Sequence, residues 1–135
     1  MWRALVLCVV LGIGSAQAVE EGDRAAIRGV IERQIQAFKA DDAAAAYAVA
    51  APEIQRLFPL ERFMSMVREG YKPVYRQRSY AFGAIQETAS GPLQAVRIQD
   101  DEGVDWLAVY ALEKQSDGTW RIAGCTLLKQ PGQAI

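Results

Sequence analysis

The chain has 135 residues, 51% of them apolar and 23% charged, and its 15 basic against 16 acidic residues give a formal charge of −1. A single domain of ordinary composition accounts for that length, which excludes a collagen-like, disordered or cysteine-stapled chain. Near-neutral charge supplies neither the basic footprint of a nucleic-acid binder nor an acidic tail, so no nucleic acid is expected as a partner.

The chain opens with Arg3, the apolar run Ala4 to Leu11 and the small-residue triplet Ala16-Gln17-Ala18. A positive start, an apolar stretch of about ten residues and an A-x-A site predict a secretory signal peptide over residues 1–18, too short to span a bilayer. The mature domain is then residues 19–135, periplasmic or secreted, touching the membrane only through export. Its charge is −2, because removing Arg3 leaves 14 basic residues against 16 acidic ones. Cleavage also removes Cys8 and leaves Cys125 alone, so no disulfide can form within the mature chain. A lone Cys inside an apolar strand reads as buried and inert.

Three helices are expected before residue 71. Asp23 is placed to cap the first, whose apolar positions Ile27, Val30, Ile31, Ile35 and Phe38 recur at three- and four-residue steps. Asp41 or Asp42 offers a cap for the alanine-rich run Ala43 to Ala50, which Pro52 ends or restarts. Pro59 opens a third helix, with Leu60, Phe63, Met64 and Val67 on one stripe and Gly70 as its stop.

Past Gly70 the apolar period changes to two, and strands are predicted over Val74 to Ile85, Leu93 to Gln99, Val104 to Gln115 and Thr119 to Leu128. The fold class is therefore α+β, three N-terminal helices packed on a curved four-stranded antiparallel sheet. Asp117-Gly118 predicts a two-residue type I′ hairpin, which sets Glu113 against Ile122, Ala111 against Gly124 and Val109 against Thr126. Continuing with Gln99 opposite Val104 puts Val96, Ile98 and Leu107 on that aliphatic face. The other face then collects Trp106, Ala108, Tyr110, Leu112, Ala123, Cys125, Leu127 and Arg97. Neither face is fully polar, so the helices are expected on the aliphatic one, and the aromatic one is expected to dock a second copy of the chain. Trp106, Tyr110 and Leu127 are its candidate interface anchors, in a homodimer or as part of an envelope complex.

The three helices, the meander and the closing Asp117-Gly118-Thr119-Trp120-Arg121-Ile122 resemble the nuclear transport factor 2-like superfamily, which implies a cone-shaped α+β fold over nearly the whole mature chain. Ile31 to Asp42 followed by an alanine-rich helix with Tyr47 is similar to the opening of many members. More narrowly, Gly70-Tyr71-Lys72-Pro73-Val74-Tyr75-Arg76, Ser79-Tyr80-Ala81-Phe82-Gly83 and Trp120-Arg121-Ile122-Ala123-Gly124-Cys125 resemble a bacterial family known as domain of unknown function 4864. The superfamily holds isomerases, dehydratases, hydrolases and pure binding modules, so the resemblance implies a fold more than an activity.

The chain contains no His. That removes imidazole bases, Ser-His-Asp and Cys-His nucleophile systems and the commonest metal ligand, and it departs from the His-Asp pair of many superfamily enzymes. No cofactor is expected and no metal, since the acidic turn Asp100-Asp101-Glu102 lacks the ligand spacing of a calcium loop. The remaining catalytic reading pairs Asp105 as a proton carrier with Tyr47 as an enolate stabiliser, the arrangement the ketosteroid isomerase case exemplifies. A solvated Asp105 at a strand start is the plainer reading. The basic and aromatic run Tyr71, Lys72, Tyr75, Arg76, Arg78 and Tyr80 suggests a grip on a small molecule or peptide, with Tyr47, Tyr75, Arg76 and Trp120 as ligand-binding candidates. The leading expectation is an exported, non-catalytic ligand-binding or assembly module; the alternative is an isomerase- or dehydratase-type acid-base enzyme.

Overall fold

The computed structural model describes residues 19–130. The expected signal peptide lies outside the described residues. Helix α1 spans Glu21–Lys39 and buries Ile27, Val30, Ile31, Ile35 and Phe38, the stripe its spacing announces. It begins three residues earlier than an Asp23 cap would allow, so Asp23 sits within the first turn, where a carboxylate complements the helix dipole. Helix α2, Ala43–Ala48, is capped by Asp42, whose side chain accepts from the Ala45 N–H at 3.1 Å.

Among the described residues five helices, rather than three, precede the sheet. Pro52 stands in the first turn of a separate helix α3, Pro52–Leu57, because its fixed φ suits a helix start and its missing N–H costs nothing there. Helix α4, Leu60–Gly70, follows Pro59 and buries Phe63, Met64 and Val67. Pro73 then starts one further turn, α5 at Lys72–Tyr75. The first strand therefore starts at Gln77 and not at Val74.

Strands β1 Gln77–Thr88, β2 Gly91–Asp100, β3 Asp105–Lys114 and β4 Trp120–Lys129 form an antiparallel sheet in chain order. Both later turns shift the register by one residue from the one expected. Gln115 N–H donates to Thr119 O at 2.7 Å around Gly118 at φ +86°, and Asp100 N–H donates to Val104 O at 2.9 Å around Gly103 at φ +81°. Each is a three-residue loop closed by a left-handed glycine, in place of the type I′ pair expected at Asp117-Gly118 and of Gln99 set opposite Val104. Gln99 consequently faces Asp105 rather than Val104, which moves Val96 and Ile98 onto the face of Trp106 and Ala108. Val109 faces Thr126 and Ala111 faces Gly124, as expected, but a bulge beside Ala111 places Ile122 opposite Leu112 and Glu113 opposite Arg121.

The helices lie on the aromatic face, which corrects the expected docking surface. Tyr110 is 0% exposed, Ala108 and Leu112 are buried with it, and Trp106 and Leu127 pack against the same core as α1. Aromatic rings bury more apolar area than Val or Ala, so covering this face brings the larger gain. Trp106 further donates its indole N–H to Asp100 Oδ2 at 3.0 Å and anchors its own turn. The face left without helices carries Ala95, Arg97, Leu107, Val109, Ala111 and Thr126, none of which belongs to the core.

Candidate functional site

Of the basic and aromatic residues chosen from sequence, Tyr75 and Arg76 are joined to each other and to the end of α1, Arg78 donates to the Asp101 carbonyl at 3.0 Å, and Tyr71 lines a cavity described below. The Tyr75 hydroxyl donates to Asp41 Oδ1 at 2.5 Å, and Arg76 donates to the same oxygen at 2.6 Å and to the Phe38 carbonyl at 2.6 Å. Arg76 thereby adds a second donor to the Phe38 carbonyl at the end of α1, which also accepts from the Asp41 N–H at 3.1 Å, and its guanidinium stacks 4.1 Å from the Tyr75 ring centre. The Tyr75 hydroxyl and the Arg76 guanidinium hold the Asp41 carboxyl below its ordinary range. At the other end of α1, the Trp120 indole N–H donates to Asp23 Oδ1 at 3.1 Å, with Lys114 at 3.5 Å from that oxygen. These are two latches: one ties the start of α1 to the sheet, and the other ties the turn after α1 to α5 and the residue that follows it.

Tyr47 is committed as well. Its hydroxyl lies 2.7 Å from both the Gln55 and Phe58 carbonyls, closing the α2 to α3 connection, while its ring tilts against Phe63 at 5.4 Å. Asp105 is exposed at the start of β3. The structure does not bring Asp105 and Tyr47 into one cavity.

A cavity of about 480 Å³ lies elsewhere, between α3, α4, α5 and the β3 to β4 end of the sheet. Phe38, Phe58, Phe63, Met66 and Val74 supply apolar wall, and five consecutive β4 residues, Ile122 to Thr126, line it. Side chains alternate across a strand, so a continuous run of both parities means that the cavity follows the outer edge of β4. Leu57, 61% exposed, stands at its mouth with Glu53 and Glu113. No Lys or Arg lines it among the described residues. A volume in this range suits a small organic molecule or a few side chains.

Its inner wall includes Tyr110, expected from the sequence as an interface anchor. The Tyr110 hydroxyl is fully buried without a partner among the described residues, and so is Oε1 of Gln94, which faces Tyr110 in the ladder behind that wall. A buried polar atom left unpaired costs about 1–3 kcal/mol. Burial raises the Tyr110 hydroxyl well above its usual pKa, so it remains a neutral donor. Burial likewise pushes the Cys125 thiol up to about 12, which keeps it protonated and unreactive as a nucleophile. The sequence signal for this wall was present only as aromatic and small residues on alternate positions of β3 and β4, a pattern equally suited to plain core.

No curated protein and no solved structure matches the chain. The model of the family described as Domain of unknown function (DUF4864) matches residues 20–135, and the chain belongs to that family.

Proposed function

We propose that the protein is an exported, non-catalytic binding module with the cone-like plan of the nuclear transport factor 2-like superfamily, and that the cavity along β4 is its site. The observation that carries this reading is the cavity itself: about 480 Å³, with apolar walls from α3, α4 and α5 and a floor along β4. Export rests on the leader-like segment Met1 to Ala18. The acid-base alternative loses its support, because Tyr47 is held by two carbonyls and Asp105 lies in solvent.

Two measurements test the reading. A neutral apolar fluorophore, N-phenyl-1-naphthylamine, is expected to brighten on binding, and native mass spectrometry of protein recovered from the periplasm is expected to show a retained mass. Failure of both, with the protein folded, contradicts the cavity assignment; failure of the protein to reach the periplasm contradicts export alone.

Self-association moves to the face without helices. Its apolar centre of Ala95, Leu107, Val109 and Ala111 is flanked by Arg97 and Arg121 and by Asp105 and Glu113, equal charges of each sign that a two-fold axis sets against each other. Val109→Asp is expected to give a monomer by sedimentation. A wild-type chain that sediments as a monomer at high concentration rejects the homodimer.

A further inference from the structure

We infer that the free edge of β4, beside the cavity, takes an extended polypeptide segment that is apolar in its middle and basic at one end, added to the sheet as a fifth strand. This rests on the cavity being a binding site and states what kind of molecule fills it.

The backbone carries the argument. Gln130 N–H donates to Asp105 O at 2.9 Å, continuing the ladder in which Leu107 faces Leu128 and Val109 faces Thr126. Antiparallel strands alternate between residues that bond their partner and residues whose N–H and C=O point away. The even-numbered β4 residues beyond the bulge therefore bond β3, and the N–H and C=O groups of Cys125, Leu127 and Lys129 point outward. Among the described residues no backbone group bonds to them across that edge.

The same edge already receives chain where chain is at hand. Ile122 N–H donates to Val49 O at 2.9 Å and Ala51 N–H donates to Ile122 O at 2.8 Å, a parallel bridge between Ala50 and Ile122. Pro52 then turns the backbone into α3, and the edge continues uncovered past Cys125. The opposite edge is less suited to an added strand: β1 is interrupted by register shifts at Gln77 to Ser79 and at Phe82 to Ile85, and Arg78 stands exposed on it.

Shape and charge narrow the occupant. A strand laid 4.7–4.9 Å from β4 runs alongside the cavity, where Ile54, Leu57, Phe58 and Met66 offer apolar seats for its inward side chains. Glu53 and Glu113 stand at the mouth with no cation in the lining, whereas Lys129 marks the far end of the edge. Arg121, opposite Glu113, directs its guanidinium to the Ala50 carbonyl at 3.5 Å. A basic residue is thus favoured at the Glu53 end and an acidic one is disfavoured.

The test uses a capped Lys-Val-Phe-Val-Thr peptide and amide hydrogen exchange of the whole domain. Binding is expected to slow exchange at Cys125, Leu127 and Lys129 by at least about tenfold. N-methylation along one edge of the peptide should abolish this and along the other edge should not. Exchanging the peptide's Lys for Glu should weaken binding roughly tenfold, with recovery in a Glu53→Gln, Glu113→Gln double variant, both exposed positions whose loss leaves the core intact. If the peptide displaces N-phenyl-1-naphthylamine yet leaves the edge amides unprotected, or tolerates N-methylation on both edges, strand addition is overturned and the cavity reading stands. The same holds if the fluorophore binds and the peptide does not. If neither binds, the cavity reading falls with it.

Discussion

At the two ends of α1, charged and aromatic side chains meet and are used up: Asp23 by Trp120 and Lys114, Asp41 by Tyr75 and Arg76. Along the edge of β4 the reverse holds, with apolar walls, two carboxylates at a mouth, and backbone groups that no described residue bonds across the edge. The first region is rich in residues that advertise chemistry and spends them on holding a helix in place. The second is poor in such residues and keeps its polar groups free. Capacity to bind lies in unspent hydrogen bonds and open volume, and residue type alone does not report either.

Removing packing from neither region separates stability from binding most sharply. Ile31→Ala, at a 0% exposed position of α1, is expected to cost about 2–5 kcal/mol in urea unfolding. It should leave fluorophore affinity unchanged in the folded fraction. Trp120→Phe removes the Asp23 bond at one latch and is expected to cost about 1 kcal/mol, again without altering affinity; a large loss of binding would place Trp120 in the site after all.

Asp41 tests the other latch through pH. Its carboxyl lies below its usual 3.8 in the fold, so its stabilising contribution is complete above that value and is lost as the pH falls through the depressed folded value. Asp41→Asn is expected to melt below the wild type at neutral pH and to match it in strong acid. Melting curves that stay apart in acid, or never separate, contradict the latch. The smallest stability effect is expected at the cavity mouth: Leu57→Ser, at an exposed position, should change unfolding by less than about 0.5 kcal/mol while measurably weakening the fluorophore.

The sequence was legible where structure is local. Asp42 caps α2, Pro59 and Gly70 bound α4, and the Ile27 to Phe38 stripe is buried, because caps, prolines and helical periodicity act within a few residues. It misled where one residue decides register. Gly103 and Gly118 each close a three-residue loop that shifts the register by one, and the β2 to β3 shift sets Val96 and Ile98 on the face of Trp106 and Tyr110, where the helices lie; the bulge beside Ala111 redirects Ile122. The position of the cavity along β4 was not legible. It depends on α3 leaving the β4 edge after Ala51, a long-range placement that no local motif encodes.

Backbone amide shifts during titration with N-phenyl-1-naphthylamine compare the two regions in one experiment. Movement is expected at Phe63, Val67 and Ile122 to Thr126, with the Trp120 indole and the Tyr75 and Arg76 amides unmoved. Shifts confined to Trp120, Tyr75 and Arg76, with β4 silent, would contradict the assignment of the site.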